Sequence, residues 1–447
     1  MTISKADRTR KIIIYIAIGL LTALSVFCFN DKDCLDISRW GKCFIDSLLD
    51  GEIRSYTIIC NDLDLPNNYS AFSNIVCGIW ILPVYIIDRL FAGGIQIAIY
   101  CTWVKLGVVV LNVLVAKLIH MILSLRGAKI NIEYIFLIWF SFNLVQMKSI
   151  GNGQIDIIGI LLMLLSLYFF FKKDYTKFAL IGGAAICFKI FPIILVAVLL
   201  AYLPAEKGVK CIRYVILTAI LPIVQKTIEN VFFIDYNICE RVGFEYSHAN
   251  FMERIFGVQI NALITPVIVI SIVIVLLVYI LRKNNFIDES DLLYLTCIIF
   301  FMFFLLVWSH CQWYLYALPL LLIAGLMYGI TSEYMIMAIG FNISQMIYNS
   351  VTTLYMKRSL LGMFTDCNEE FDYNILFADI DHIGAYMGSA FFAFFLSMII
   401  FSIVKRVQFK KDISPIRAQN IQTNSILMWV LFATTFISET VFLIKYL

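Results

Sequence analysis

Four polar stretches interrupt an otherwise apolar chain, and each holds residue types that can do chemistry. The first, Cys34–Gly51, carries Asp36, Asp46 and Asp50 beside Arg39 and Trp40. A carboxylate here could take a proton from an acceptor hydroxyl that reaches hydrogen-bonding distance. Asp36 reads equally as a solvated acid or a helix N-cap. Ile37, Trp40, Phe44 and Leu48 recur every three or four residues, which predicts a short amphipathic helix starting near Asp36 and lying on a membrane surface. The second stretch is Gly151-Asn-Gly-Gln-Ile-Asp156. It reads as a glycine-hinged helix start, or as a tight turn in which Asn152 and Gln154 donate hydrogen bonds to sugar hydroxyls. The third is Lys189, within Cys-Phe-Lys-Ile-Phe-Pro192. A lysine at the centre of a spanning helix costs roughly 2.5–3.5 kcal/mol, so this one needs the interface or a partner. A lipid phosphate is one such partner, suited to a compact ammonium. The fourth is Trp308-Ser-His-Cys-Gln-Trp-Tyr314. It is an interfacial aromatic belt, or a site walled by Trp313 and Tyr314 in which His310 donates a hydrogen bond or carries a proton.

Other reactive types are dispersed. His120, His248 and His382 suggest no metal cage, and loop solvation explains Asp62, Asp64, Asp366, Glu369 and Glu370 better than a divalent ion does. No cofactor is expected. The twelve cysteines show no CxxC spacing. Cys34, Cys43, Cys60, Cys239 and Cys367 fall in polar segments where either free thiols or disulfides would fit, and the sequence assigns no pairs.

The elements that must position these groups follow from composition. The 447 residues are 61% apolar and 15% charged, with mean hydropathy +0.88. A soluble core cannot absorb that much apolar surface, and many runs reach the ~20 residues that cross a bilayer. The net charge of +3 comes from short loops, so it reports topology and argues against nucleic acid as a partner. The basic N-terminus followed by Ile12–Phe29 predicts an uncleaved first helix with its start in the cytoplasm. Residues 30–70 are then external, followed by spans at 72–90 and 94–122 and a re-entrant element at 132–147. Further spans are expected at 153–171, 211–226, 259–281, 290–309, 385–404 and 423–446. Hairpins are expected at 177–204, with Lys189 and Pro192 at its external tip, and at 312–350. External loops cover 227–258 and 351–384. The fold class is an all-α polytopic transmembrane bundle of about 13 crossings with extracytoplasmic loops. It divides into a catalytic module, 1–330, and C-terminal helices, 331–447.

The order of these stretches resembles a known pattern. Asp36-Ile-Ser-Arg-Trp precedes Gly51 by fifteen residues; then come Tyr69-Ser-Ala-Phe72, Gly153-Gln154-Ile-Asp156, Gly182-Gly183 leading to Lys189-Ile-Phe-Pro192, and Trp308-Ser-His-Cys-Gln-Trp-Tyr314 with Pro319. Over residues 12–325 the series is similar to the GT-C superfamily of integral-membrane glycosyltransferases, in particular the bacterial polyprenol-phosphate-mannose-dependent mannosyltransferases. The chain departs from that pattern at Tyr69-Ser-Ala, where Tyr-Pro-Pro is usual, and at Asp156, where Asn is frequent. The resemblance implies a GT-C-like fold, a polyprenyl-phosphate-linked sugar as donor and a lipid-linked or cell-envelope glycan as acceptor. It implies Asp36 as general base, Lys189 and His310 on the donor phosphate, and Gln154 orienting substrate; Asn152, Tyr69, Trp313 and Tyr314 complete the expected substrate contacts. It places the active site on the extracytoplasmic face of a multi-pass bacterial membrane protein. A lipid or polysaccharide transporter, and a polysaccharide polymerase or ligase, are the competing readings of the same residues.

Overall fold

A computed structural model of the chain describes residues 5–62, 70–91, 94–233, 264–284, 287–306, 311–327, 329–352, 356–358, 383–411 and 421–446. Helices dominate these residues. In chain order they are α1 (Lys5–Cys28), α2 (Lys32–Leu49), α3 (Tyr56–Asp62), α4 (Ala71–Leu90), α5 (Ile97–Leu125) and α6 (Ile132–Phe140). A π-helical segment follows at Leu144–Gly151. Then come α7 (Asp156–Phe171), α8 (Tyr175–Phe188), α9 (Pro192–Tyr202), α10 (Pro204–Lys207) and α11 (Cys211–Phe232). The last are α12 (Ile264–Lys283), α13 (Asp291–Leu306), α14 (Tyr314–Leu326), α15 (Ser332–Thr352), α16 (Ile383–Lys411) and α17 (Ile421–Tyr446). Two three-residue strands, Phe29–Asp31 and Met356–Arg358, pair antiparallel with Asn30 opposite Lys357. Many of these helices are rich in Ile, Val and Phe, which have mediocre helix propensity in water. In an apolar medium every backbone N–H must find a partner within its own segment, so the same sequences become helical.

Among the described residues, four helices are long and apolar enough to cross a bilayer: Asp7–Cys28, Ala71–Leu90, Ile97–Leu125 and Gly208–Phe232. Ile79, Leu82, Ile86 and Ile87 on α4, and Ile212, Val215, Ile216 and Ile223 on α11, are exposed. Contiguous apolar surface of this kind belongs against lipid. Shorter apolar helices include α7, α8, α9 and α14.

Three boundaries depart from the sequence expectation. The amphipathic helix starts at Lys32, not near Asp36, with Asp33 in its first turn where an acid favours the helix dipole. Asp36 therefore lies in the second turn and is not an N-cap. The expected element at 132–147 breaks after Phe140; α6 has nine residues, about 14 Å, and the chain restarts as the π segment. Residues 227–232, expected in an external loop, continue α11.

The chain forms two compact units that interleave in sequence: Met1–Leu35 with Ile95–Gln154 and Gly325–Leu447, and Asp36–Gly94 with Ile155–Ala324. In the first unit a polar thread runs through an apolar core. Ser25 Oγ lies 2.8 Å from both Gln146 Oε1 and Glu439 Oε1. Asn342 donates to Thr434 and Thr435 and accepts from the Asn143 backbone at 2.6 Å. Asn112 joins Ser149 to the Trp139 indole. A hydrogen bond offsets the several-kcal/mol penalty, of order 2–7, of burying a polar group alone.

In the second unit, α2 docks on α4 at two glycines. A Cβ on Gly41 would sit 2.5 Å from Ile81 Cδ1 and 3.1 Å from the Cys77 carbonyl oxygen, and one on Gly78 would sit 2.7 Å from the Phe44 ring. Ion pairs Lys42–Asp88 at 3.2 Å and Arg89–Asp46 at 2.6 Å lace the same two helices. The α7–α8 connection is three residues long. Lys173 takes φ 64° there, and Asp174 caps α8 by accepting from the Lys177 backbone at 3.2 Å. So tight a turn forces α7 and α8 antiparallel, which brings the start of α7 level with the end of α8. Helix α8 then packs on α11 so closely that a Cβ on Gly183 would lie 2.4 Å from the Thr218 carbonyl oxygen.

Candidate functional site

The antiparallel α7–α8 pair explains the central contact of the second unit. Asp156 is the first residue of α7 and Lys189 the residue that closes α8. Lys189 Nζ lies 3.6 Å from Asp156 Oδ1, with side chains 20% and 1% exposed. Each charge also sits at the helix end whose dipole favours it, the acid at an N-terminus and the cation at a C-terminus. The partner that Lys189 requires is thus supplied within the chain.

Other elements close around this pair. Ser70, the N-cap of α4, donates to the Cys187 carbonyl at 2.7 Å, and Ser73 donates to the Phe188 carbonyl at 3.4 Å. These hydroxyls satisfy carbonyls that α8 leaves open at its end. Phe72 and Phe188 meet edge to face with centroids 5.0 Å apart. Glu229 of α11, 1% exposed, accepts from the Ala71 backbone at 3.0 Å and from Gln225 Nε2 at 2.8 Å. On the other side, Phe191 meets Trp313 at 5.0 Å and Tyr316 at 5.1 Å with the rings tilted. The Tyr316 hydroxyl donates to the Asp156 carbonyl at 3.4 Å. Tyr314, almost fully buried, packs on Phe304 at 4.2 Å.

Four stretches singled out in the sequence therefore contribute residues to one junction, Ser70–Phe72, Asp156, Lys189–Phe191 and Trp313, which Tyr316 joins from beyond them. The arrangement offers a partly exposed ammonium at the end of α8, with aromatic contacts at the neighbouring Phe188 and Phe191. That combination suits an anion carried on an apolar chain.

Asp36 belongs to the same unit, is half-buried on α2 and lies one turn before the buried Trp40. Its neighbours in the polar stretch separate clearly. Asp46 accepts from the Tyr85 hydroxyl at 2.5 Å and from Arg89 at 2.6 Å, so it is committed to holding α2 on α4. Asp50 is exposed at the helix end.

Asn152 and Gln154 belong to the first unit. Both are buried, and the Gln154 amide donates to Asp33 Oδ2. Gly153 takes φ +63°, and a Cβ there would meet Cys34 Sγ at 2.8 Å. Backbone conformation and close packing both demand glycine at this turn. Tyr69, Trp308 and His310 lie outside the described residues.

The sequence reading missed Asp33, Glu229 and Tyr316. Asp33 carried a usable signal as an acid in a helix's first turn, and Ser70-Ala-Phe-Ser73 is an N-terminal capping pattern for α4. Glu229 and Tyr316 carried none, because their partners are distant in sequence. Among the described residues no group of three or more His, Cys, Asp or Glu side chains could hold a metal ion. No family model matches the chain, and no curated protein is similar enough to count as a relative.

Proposed function

We propose that this chain is an integral-membrane glycosyltransferase that moves a sugar, mannose or another hexose or pentose, from a polyprenyl-phosphate donor to a lipid-linked or cell-envelope glycan. The observation that supports the reading is a partly exposed lysine, Lys189, paired with Asp156 at the end of α8, where the adjoining Phe191 packs against Trp313 and Tyr316. The chemistry follows. Asp36 takes the proton of the acceptor hydroxyl as that oxygen attacks the anomeric carbon. The carbon–oxygen bond to the lipid phosphate breaks on the opposite face, so the configuration inverts through an oxocarbenium-like transition state. Negative charge grows on the departing phosphate, and Lys189, with His310, stabilises it. Asp46, which accepts from Tyr85 and Arg89, is the substitute base should Asp36 not serve. The protein would be a bundle of about 13 crossings in a bacterial cytoplasmic membrane, with its site on the extracytoplasmic face.

The test supplies purified protein with radiolabelled polyprenyl-phosphate sugars and a membrane acceptor extract. Labelled glycan is expected with the parent, and Asp36→Asn should lower its formation by roughly 10²–10⁴-fold, the usual weight of a positioned general base. Absence of product with every donor would overturn the proposal. Lipid or sugar flux in proteoliposomes that survives Asp36→Asn would favour a transporter.

A further inference from the structure

Two cysteines that this function does not use lie together in the second unit. Cys43 Sγ and Cys60 Sγ are 3.5 Å apart and both are buried. The chain creates this proximity by design of its turn. Gly51, at φ +75°, reverses the direction after α2, and α3 returns along it. Cys43 stands eight residues before that glycine and Cys60 nine after it. The return path is fixed by further contacts: Tyr56 donates to the Trp40 carbonyl at 3.4 Å, and its ring meets Phe44 edge to face at 5.4 Å. The two sulfurs are thus held near each other by packing that does not itself depend on a covalent link.

We propose that Cys43 and Cys60 form a disulfide that staples α3 to the helix carrying Asp36. The hydrogen bond from Cys60 lowers the Cys43 thiol below its ordinary value, with the Ser47 hydroxyl adding to the effect against the pull of burial. Cys43 is therefore the sulfur that attacks first. The oxidant is a disulfide from the surroundings, either an exchange protein or a small-molecule disulfide. The Cys43 thiolate attacks one of its sulfurs, forming a mixed disulfide and releasing one thiolate. The Cys60 thiolate then attacks Cys43 Sγ, closes the bond and releases the second. The two cysteines lose two protons and two electrons, and the oxidant leaves as two thiols. In the cell, closure rests on the extracytoplasmic placement of this stretch in the proposed function, because reducing compartments keep thiols open.

The first experiment uses the parent chain. The full chain is purified in detergent without reductant, incubated with oxidised glutathione, alkylated, digested and mapped by mass spectrometry. The expected result is a peptide pair joined through Cys43 and Cys60 that separates on reduction. Alkylation of both sulfurs after this treatment would overturn the proposal, as would pairing of either one with a different cysteine. Thermal unfolding gives a second measurement: dithiothreitol should lower the midpoint of the parent and leave that of the Cys43→Ser, Cys60→Ser double variant unmoved. An equal response of both proteins would count against the link. Neither readout involves sugar transfer, so failure of the disulfide and failure of the enzyme reading are separate results.

Discussion

Lys189 has two roles that a single substitution would confuse, and a double-variant cycle separates them. At 3.6 Å from Asp156, with an effective dielectric near 20, the pair attracts by about 4–5 kcal/mol. Desolvation of both groups offsets much of this, yet removing one partner alone leaves a buried charge uncompensated, at a cost of about 3–5 kcal/mol. Lys189→Met should therefore destabilise the protein by roughly that amount, because Asp156 stays buried. Asp156→Asn should cost less, about 1–3 kcal/mol, since the amide keeps hydrogen-bonding capacity. In the double variant no charge is left to compensate, so its loss should fall short of the sum of the singles by about 2 kcal/mol or more. Fluorescence-monitored denaturation in detergent measures these three losses. Sugar transfer measures the other role. If Lys189 stabilises the departing phosphate, the double variant regains stability but not activity. Additive stabilities would refute the ion pair as the reason a lysine is tolerated here. Recovery of transfer in the double variant would refute the phosphate role and leave Lys189 as the counter-ion of Asp156.

Three further outcomes test the remaining structure. Asp46→Asn, which weakens the bonds to Tyr85 and Arg89, should lower thermal stability by about 1 kcal/mol while transfer survives; abolition of transfer at unchanged stability would move the base from Asp36 to Asp46. Gly183→Ala places a methyl where only 2.4 Å separates it from the Thr218 carbonyl oxygen, and overpacking against backbone should cost about 1–3 kcal/mol, so an unchanged unfolding midpoint would show that α8 and α11 do not pack this closely. In the first unit the acceptors Gln146 Oε1 and Glu439 Oε1 compete for the single Ser25 hydroxyl proton. Glu439→Gln adds a donor and should hold stability within about 1 kcal/mol, whereas Glu439→Ala should lose about 2–4 kcal/mol; the reverse order would show that a charged carboxylate is required there.

The apolar helices were legible because the signal is local. Apolar runs bounded by charges predict 72–90 and 423–446, and the helices run Ala71–Leu90 and Ile421–Tyr446. Boundaries failed where a polar segment was itself helical. Lys32 and Asp33 look like loop residues, but an acid in the first turn and the amphipathic repeat behind it extend the helix upstream. The 132–147 region looked like one element because its apolar run is nearly continuous; the break after Phe140 has no glycine or proline to announce it. Site residues were legible only as types. The expense of Lys189 in an apolar run predicted a partner, but nothing local names Asp156, thirty-three positions away. Pairing of that kind comes from the three-residue α7–α8 turn, which fixes helix direction and leaves no composition signal.

The departure of this chain from the glycosyltransferase pattern falls on that same contact. Where the pattern it resembles frequently has Asn, this chain has Asp156, and the acid lies against Lys189. A carboxylate beside the proposed phosphate cation opposes anion binding, so the junction must recover its preference elsewhere. Helix ends supply it. The N-terminus of α7 faces the Asp156 carboxylate, and the N-terminus of α9 opens at Pro192, three residues past Lys189. Each contributes roughly half a positive charge. The opposing negative end of α8 is partly quenched by the Ser70 and Ser73 hydroxyls on its last carbonyls. If the proposed function holds, these helix ends are what would leave the junction with a net attraction for the donor phosphate, weaker than an unpaired lysine would give. Asp156→Asn should sharpen it: where the fold tolerates the change, the KM for the polyprenyl-phosphate donor should fall, and a rise in KM would mean that Asp156 positions Lys189 for the donor instead of competing with it.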